Sequence, residues 1–352
     1  MQLAKHWAAQ LDDYVIDLAW SPDGARLAAA SAAGPVALHS VNAGARQYLL
    51  PGHDNGTNVL AWAPTTGAAA TDPPVASWLA TGGQDGTVKF WDPSVGQHTS
   101  TAAIGSAWVE HLVWWTVPLA GASGRRAVVA AAAGRRLALC QPDGVVVRPF
   151  PSTAKTILAL AVRPGDGVMA AAWFGGISLW RAVDFQAGWE FAYGNGIQAL
   201  VWSPDGRWLV SGNQDPSVHL WIPETGVELH MSGYAGKVKC LSFDRASRWL
   251  ATSGSAEVCV WDCSGEGPEG REPLMLPHEA PVCVLAFQYG HGLLASGAQD
   301  GVVRIWSPER PEPLCATVKL PVAPTRLAWS PEDRYLAIGT ERGALYVLRC
   351  AE

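Results

Sequence analysis

The chain has 352 residues, 49% of them hydrophobic and only 16% charged, with 37 glycines, 25 prolines, 18 tryptophans and a net charge of −6. That composition excludes intrinsic disorder and implies a large buried core. The acidic balance supplies no basic field for a polyanion, so no nucleic-acid partner is expected.

The opening residues MQLAKHWAAQ lack the apolar stretch of a secretory signal, and no run of 18 apolar residues occurs anywhere. Neither export nor a membrane partner is therefore expected, and the expected location is cytoplasmic. Seven cysteines without a CxxC spacing read as reduced thiols.

A strand-like piece, LAKHWAAQ (3–10), precedes repeats that align on the pattern apolar-x-x-apolar-Ala-aromatic. The pattern opens at Val15 (VIDLAWSPDG), Thr57 (TNVLAWAP), Val109 (VEHLVWW) and Ile157 (ILALAVRPGDG). It returns at Ile197 (IQALVWSPDG), Val238 (VKCLSF), Val282 (VCVLAF) and Pro324 (PTRLAWSPED). The sixth positions are Trp20, Trp62, Trp114, Val162, Trp202, Phe243, Phe287 and Trp329, spaced about 44 residues apart on average. Each repeat continues through a polar turn, a short strand such as WLATGG or WLVSGN, a tight turn and a closing strand. Those closing strands end at Trp91, Trp180, Trp221, Trp261 and Trp306 in five repeats, and near His39, Cys140 and Leu348 in the first, third and eighth. Short β-branched and aromatic runs broken by Gly, Pro, Asp and Asn are strand-and-turn grammar. The fold class expected is all-β, with eight repeats filling the chain.

The stretch GHDNGTNVLAWAP…WLATGGQDGTVKFWD (52–92) resembles a WD40 repeat, with its Gly-His, its Asp-Gly turn and its terminal Trp-Asp. The period agrees with four-stranded propeller blades. The resemblance implies one propeller domain over residues 1–352, of eight blades, or seven if the third or fourth repeat is an elaborated loop. Only four residues follow Leu348, so the N-terminal strand is expected to complete the last blade beside Leu345–Leu348. In this family a histidine, a Ser or Thr, a turn Asp and the closing Trp form a buried hydrogen-bonded tetrad. His53, Thr81, Asp85 and Trp91 match it in the second repeat, and His278, Ser296, Asp300 and Trp306 in the seventh. The fifth keeps Ser211, Asp215 and Trp221, with Tyr193 in the histidine position. The sixth has Tyr234 there and lacks the Asp.

No metal-ligand spacing, nucleophile elbow or dinucleotide fingerprint is present, so catalytic residues, metal and cofactor are all expected to be none. What stands out is AAWFGGISLW (171–180). There Trp173 and Phe174 occupy the turn that reads Gln84-Asp85 in the second repeat, with Gly175-Gly176 as the expected bend. Arg135 and Arg136 fall at the same turn of the third repeat. Trp108, Tyr193 and Tyr234 open repeats on the edge that carries the Gly-His loops. Aromatic residues and arginine dominate protein-binding hot spots. Inward packing of Trp173 and Phe174 is the competing reading. The function implied is a non-enzymatic scaffold or adaptor, a monomer or part of a complex, that binds partner proteins through this edge. A small molecule or cofactor held in the central channel is the alternative.

Overall fold

A computed structural model describes residues 2–64, 78–118 and 125–351. Among them are 32 strands and no helix, arranged in eight four-stranded antiparallel sheets. The fold is an eight-bladed β-propeller. The weakly patterned third and fourth repeats each form a complete blade, so the seven-bladed alternative falls. The third repeat owes its length to its first two strands, Val109–Pro118 and Arg125–Ala133, which run longer than their counterparts.

Seven sheets are simple meanders in chain order. The eighth takes its outer strand from the N-terminus: Gln2–Gln10 lies antiparallel to Ala344–Ala351, with Ala9 opposite Leu345 and Lys5 opposite Leu348. The last strand runs past Leu348 to Ala351, giving the N-terminal strand its full register.

The chain divides into two compact units. One holds blades one to four (residues 11–162 and 166–194), the other blades five to eight with residues 1–10 and 163–165. Within each unit the core lies between consecutive blades. Second strands such as Leu79–Gly83 and Leu294–Ala298 are buried along their whole length, because each is covered on both faces. That is why they are built of small and aliphatic residues. Outer strands such as Ala187–Ala192 stay largely in solvent.

The sixth-position aromatics couple neighbouring blades. Trp62 donates its indole N–H to Ala19 O, Trp114 to Ala61 O and Trp329 to Ala286 O, each at 3.0 Å. Phe243 and Phe287 fill the same places without a donor. Trp202 Nε1 is buried and finds no acceptor among the described residues.

Candidate functional site

The polar tetrad of blade two is complete. Trp91 Nε1 lies 2.9 Å from Thr81 Oγ1, Thr81 Oγ1 lies 2.8 Å from His53 Nε2, and His53 Nδ1 lies 2.9 Å from Asp85 Oδ1. Indole can only donate and carboxylate can only accept, so the chain of donors runs one way, from Trp91 through Thr81 and His53 to Asp85. Burial disfavours the charged form of Asp85, yet hydrogen bonds from Thr87 and His53 hold its carboxyl below the usual range.

Blade seven keeps half of this arrangement. Trp306 Nε1 and His278 Nε2 each lie 2.7 Å from Ser296 Oγ. Asp300 turns outward to Lys319, whose ammonium lies 3.4 Å from its carboxylate. His278 Nδ1 is left buried with no partner among the described residues. Burial, reinforced by the charge of Arg304, pushes the His278 imidazole down to about 4.

In blade five Ser211 donates to Asn213 Oδ1 at 2.9 Å. Asn213 reaches Ser217 at 3.1 Å, and Ser217 reaches Asp215 at 3.0 Å. Asn213 and Ser217 extend the reach of a Ser that has no histidine to meet. Trp221, the closing residue, is buried.

Tyr234 requires a correction. It is 9% exposed, and its hydroxyl lies 2.8 Å from Thr252 Oγ1 and accepts from Trp261 Nε1 at 3.0 Å. It replaces the histidine inside blade six and is no part of a binding surface. A phenol reaches as far as an imidazole from the same backbone position, and a hydroxyl serves as both acceptor and donor.

The other six candidates belong to the unit of blades one to four, at the turns between second and third strands and the loops that enter each blade. In blade three Ala133 pairs with Arg136, so Gly134 and Arg135 form a two-residue turn. Gly134 has φ +59°, and a Cβ there would come within 2.9 Å of Ala107 Cβ, the residue before Trp108. Only glycine fits both demands. Arg135 and Arg136 are exposed. The turn is clamped by Thr153, whose N–H donates to Arg135 O at 3.0 Å and whose carbonyl accepts from Arg135 Nε at 2.8 Å. Arg136 lies against the loop that leads into blade three, where a Cβ on Gly105 would meet its Cδ at 3.2 Å.

From there the main chain leads directly to blade four. Ile157 N–H donates to Gly134 O at 2.8 Å, and Ile157 pairs with Trp173. Trp173 is opposite Gly176, which makes Phe174 and Gly175 the turn residues; Gly176 opens the next strand, and Gly175 alone has the positive φ, +123°. The bend is therefore one residue earlier than Gly175-Gly176. Tyr193 N–H donates to Gly175 O at 3.0 Å, and Tyr193 is half-buried. Trp173 is half-buried too, while Phe174 is 47% and Trp108 is 51% exposed. The two rings of the Trp-Phe pair thus divide the roles, one partly packed and one open.

Why blade four can carry aromatics in this turn follows from its other positions. Thr153 stands four residues before the inner strand, where His53 stands in blade two, and Ala171 occupies the place of Thr81. The imidazole is missing, the Thr81 place holds no hydroxyl, and the Thr153 hydroxyl is turned to the Arg135 and Lys155 carbonyls, so a turn carboxylate would lack the donors it has in blade two. Trp180 packs on Phe150 instead, ring centroids 5.3 Å apart. The same four-residue offset is the signal by which Thr153 could have been found in the sequence.

The model described as "WD domain, G-beta repeat" matches residues 44–92, 190–221, 227–262 and 272–307. These segments carry the closing residues Trp91, Trp221, Trp261 and Trp306 of blades that the fold places in one series. The chain is an eight-bladed β-propeller with WD40 repeats in four of its blades.

This propeller is similar to "Anaphase-promoting complex subunit cdc20" of Dictyostelium discoideum, at 28% identity over 41% of this chain and 29% of that protein. It is similar to "Centriole proteome protein 16" of Chlamydomonas reinhardtii, at 31% over 47% of this chain and 9% of that protein. It also matches "Meiotic fizzy-related protein 1" of Schizosaccharomyces pombe, at 24% over 53% of this chain and 47% of that protein. The chain thus spans less than half the length of each of these relatives. The crystal structure of the computationally designed Ika8 protein superposes with a TM-score of 0.78 over 99% of this propeller and 100% of that chain, at 19% identity. That likeness concerns the fold. Among the described residues no group of three or more His, Cys, Asp or Glu could hold a metal ion. Among the same residues no helix is long and apolar enough to cross a membrane.

Proposed function

We infer that this WD40 propeller is a non-enzymatic, cytoplasmic adaptor that binds a partner protein through Trp108, Arg135, Arg136, Trp173, Phe174 and Tyr193. The observation that carries the reading is the exposure of Trp108 and Phe174, 51% and 47%, on the edge that also exposes Arg135 and Arg136. Large aromatics left in water beside guanidinium groups have the composition of a hot spot. The turns that present them are held by main-chain hydrogen bonds, so little ordering entropy remains to be lost on binding. The name of one relative, a complex subunit, is in keeping with this role.

The test is affinity capture from the native host with the full chain as bait, read by mass spectrometry. Trp108→Ser with Phe174→Ser, and separately Arg135→Glu with Arg136→Glu, should each abolish capture of the partner while the melting temperature stays within about 2 °C, as surface changes of this kind rarely alter stability. Undiminished capture by both variants refutes the assignment.

A further inference from the structure

The unit of blades five to eight carries a second feature, on the opposite ends of its strands, where first and second strands join. There Asp333 occupies the place that glycine holds in the Ser-Pro-Asp-Gly turns at Gly24 and Gly206, and it keeps their left-handed backbone, with φ +58°. Its buried carboxylate accepts N–H groups from the preceding blade: Tyr289 at 2.7 Å, Gly290 at 2.5 Å and His291 at 3.1 Å, with His291 Nδ1 also at 3.1 Å. A strained residue held this way fixes the turn it grips. Residues of that turn line two cavities. One, of about 410 Å3, has an apolar floor that includes Leu241, Phe243, Phe287 and Trp329, with Arg245 and the 54% exposed Tyr289 at its edge. The other, of about 540 Å3, is lined by Arg310, Arg334, His291 and Glu332 among others. Gln288 is common to both.

Charge decides what fits. Arg248 and Arg271 on the same unit are paired with Asp262. Arg245, Arg310 and Arg334 are exposed and have no carboxylate partner among the described residues. Asp333 is engaged by its four donors, which leaves Glu332 alone against three guanidinium groups at these cavities. In a protein of net charge −6 this is a local reversal of sign.

We propose that this pinned turn and its flanking cavities form a docking site for an acidic peptide segment of a partner protein. An aromatic or large aliphatic side chain of the segment enters the smaller cavity beside Tyr289, and its carboxylates meet Arg245, Arg310 and Arg334. The site shares no residue with the aromatic–arginine edge of blades three and four, and it stands or falls independently of that reading.

The test uses the full chain and a fluorescein-labelled nonapeptide with a central phenylalanine between two blocks of four glutamates, followed by anisotropy. Binding should weaken as salt rises. It should also fall about tenfold or more, a change of about 1.4 kcal/mol, when the phenylalanine is replaced by serine or when Arg245→Glu and Arg334→Glu are combined. The Trp108→Ser, Phe174→Ser variant should bind the peptide as the unaltered chain does. Failure of the peptide to bind at millimolar concentration overturns the proposal. So does equal binding of a version with lysine in place of glutamate, or full binding by the folded double arginine variant.

Discussion

His53 Nδ1 stands 2.9 Å from Asp85 Oδ1, whereas the equivalent imidazole nitrogen of His278 has no partner among the described residues and Asp300 faces Lys319 instead. Two sequence motifs that read alike therefore do different work. Asp85→Ala should cost roughly 2 kcal/mol, because it strands a buried donor. Asp300→Ala should cost less than about 1 kcal/mol, since it removes an exposed ion pair. Urea denaturation of both variants checks the contrast, and equal losses would contradict it.

His278 also fixes a pH dependence. Its imidazole titrates at about 4 in the fold against 6.5 when exposed. As pH falls the unfolded chain takes up the proton first, so the stabilisation is complete above pH 6.5. It drains away between 6.5 and 4, and no further loss follows below. The separation corresponds to about 3 kcal/mol. His53, held low mainly by burial, contributes with the same sign. His278→Gln should flatten this part of the profile in denaturation curves at pH 7.5 and 4.5; an unchanged slope would place the titration elsewhere.

Tyr234→Phe keeps the ring and removes the hydroxyl that lies against Thr252 and accepts from Trp261. The expected loss is about 1–2 kcal/mol. Partner capture through blades three and four should remain intact. A variant as stable as the parent would show that the hydroxyl bonds add nothing.

Asp333→Gly relieves a left-handed backbone but abolishes the acceptor of three main-chain N–H groups. The released strain, about 1 kcal/mol, is smaller than the loss of charged hydrogen bonds, so net destabilisation of roughly 2 kcal/mol is expected. Amide hydrogen exchange at Tyr289, Gly290 and His291 should accelerate. Unaltered protection there would mean that the carboxylate does not hold the turn.

Ser247 repeats the device in a milder form. It too has a left-handed backbone, φ +60°, and its hydroxyl accepts Asp205 N–H of the blade before it at 2.9 Å. Neither reach-back is visible in the sequence, where both residues look like ordinary departures from the Ser-Pro-Asp-Gly turn.

What the sequence determined by itself is the repeating frame. Alternation and turn chemistry recur every 44 residues or so, and a period of that kind is a local property of the chain. So the strands, the eight blades, the N-terminal strand beside Leu345–Leu348 and the aromatic–arginine content of blades three and four were all legible. What only the tertiary structure decided is which way individual side chains turn. The phenol of Tyr234 fills an imidazole's place inside its blade, Asp300 prefers a lysine to its histidine, and Phe174 opens to solvent while Trp173 half packs. Those outcomes depend on groups brought together from separate parts of the chain, as Thr153 is to Arg135, 18 residues away, and Asp333 to Tyr289, 44 away. Hydrogen-bond satisfaction in a buried site is settled by that neighbourhood, and no single repeat contains it.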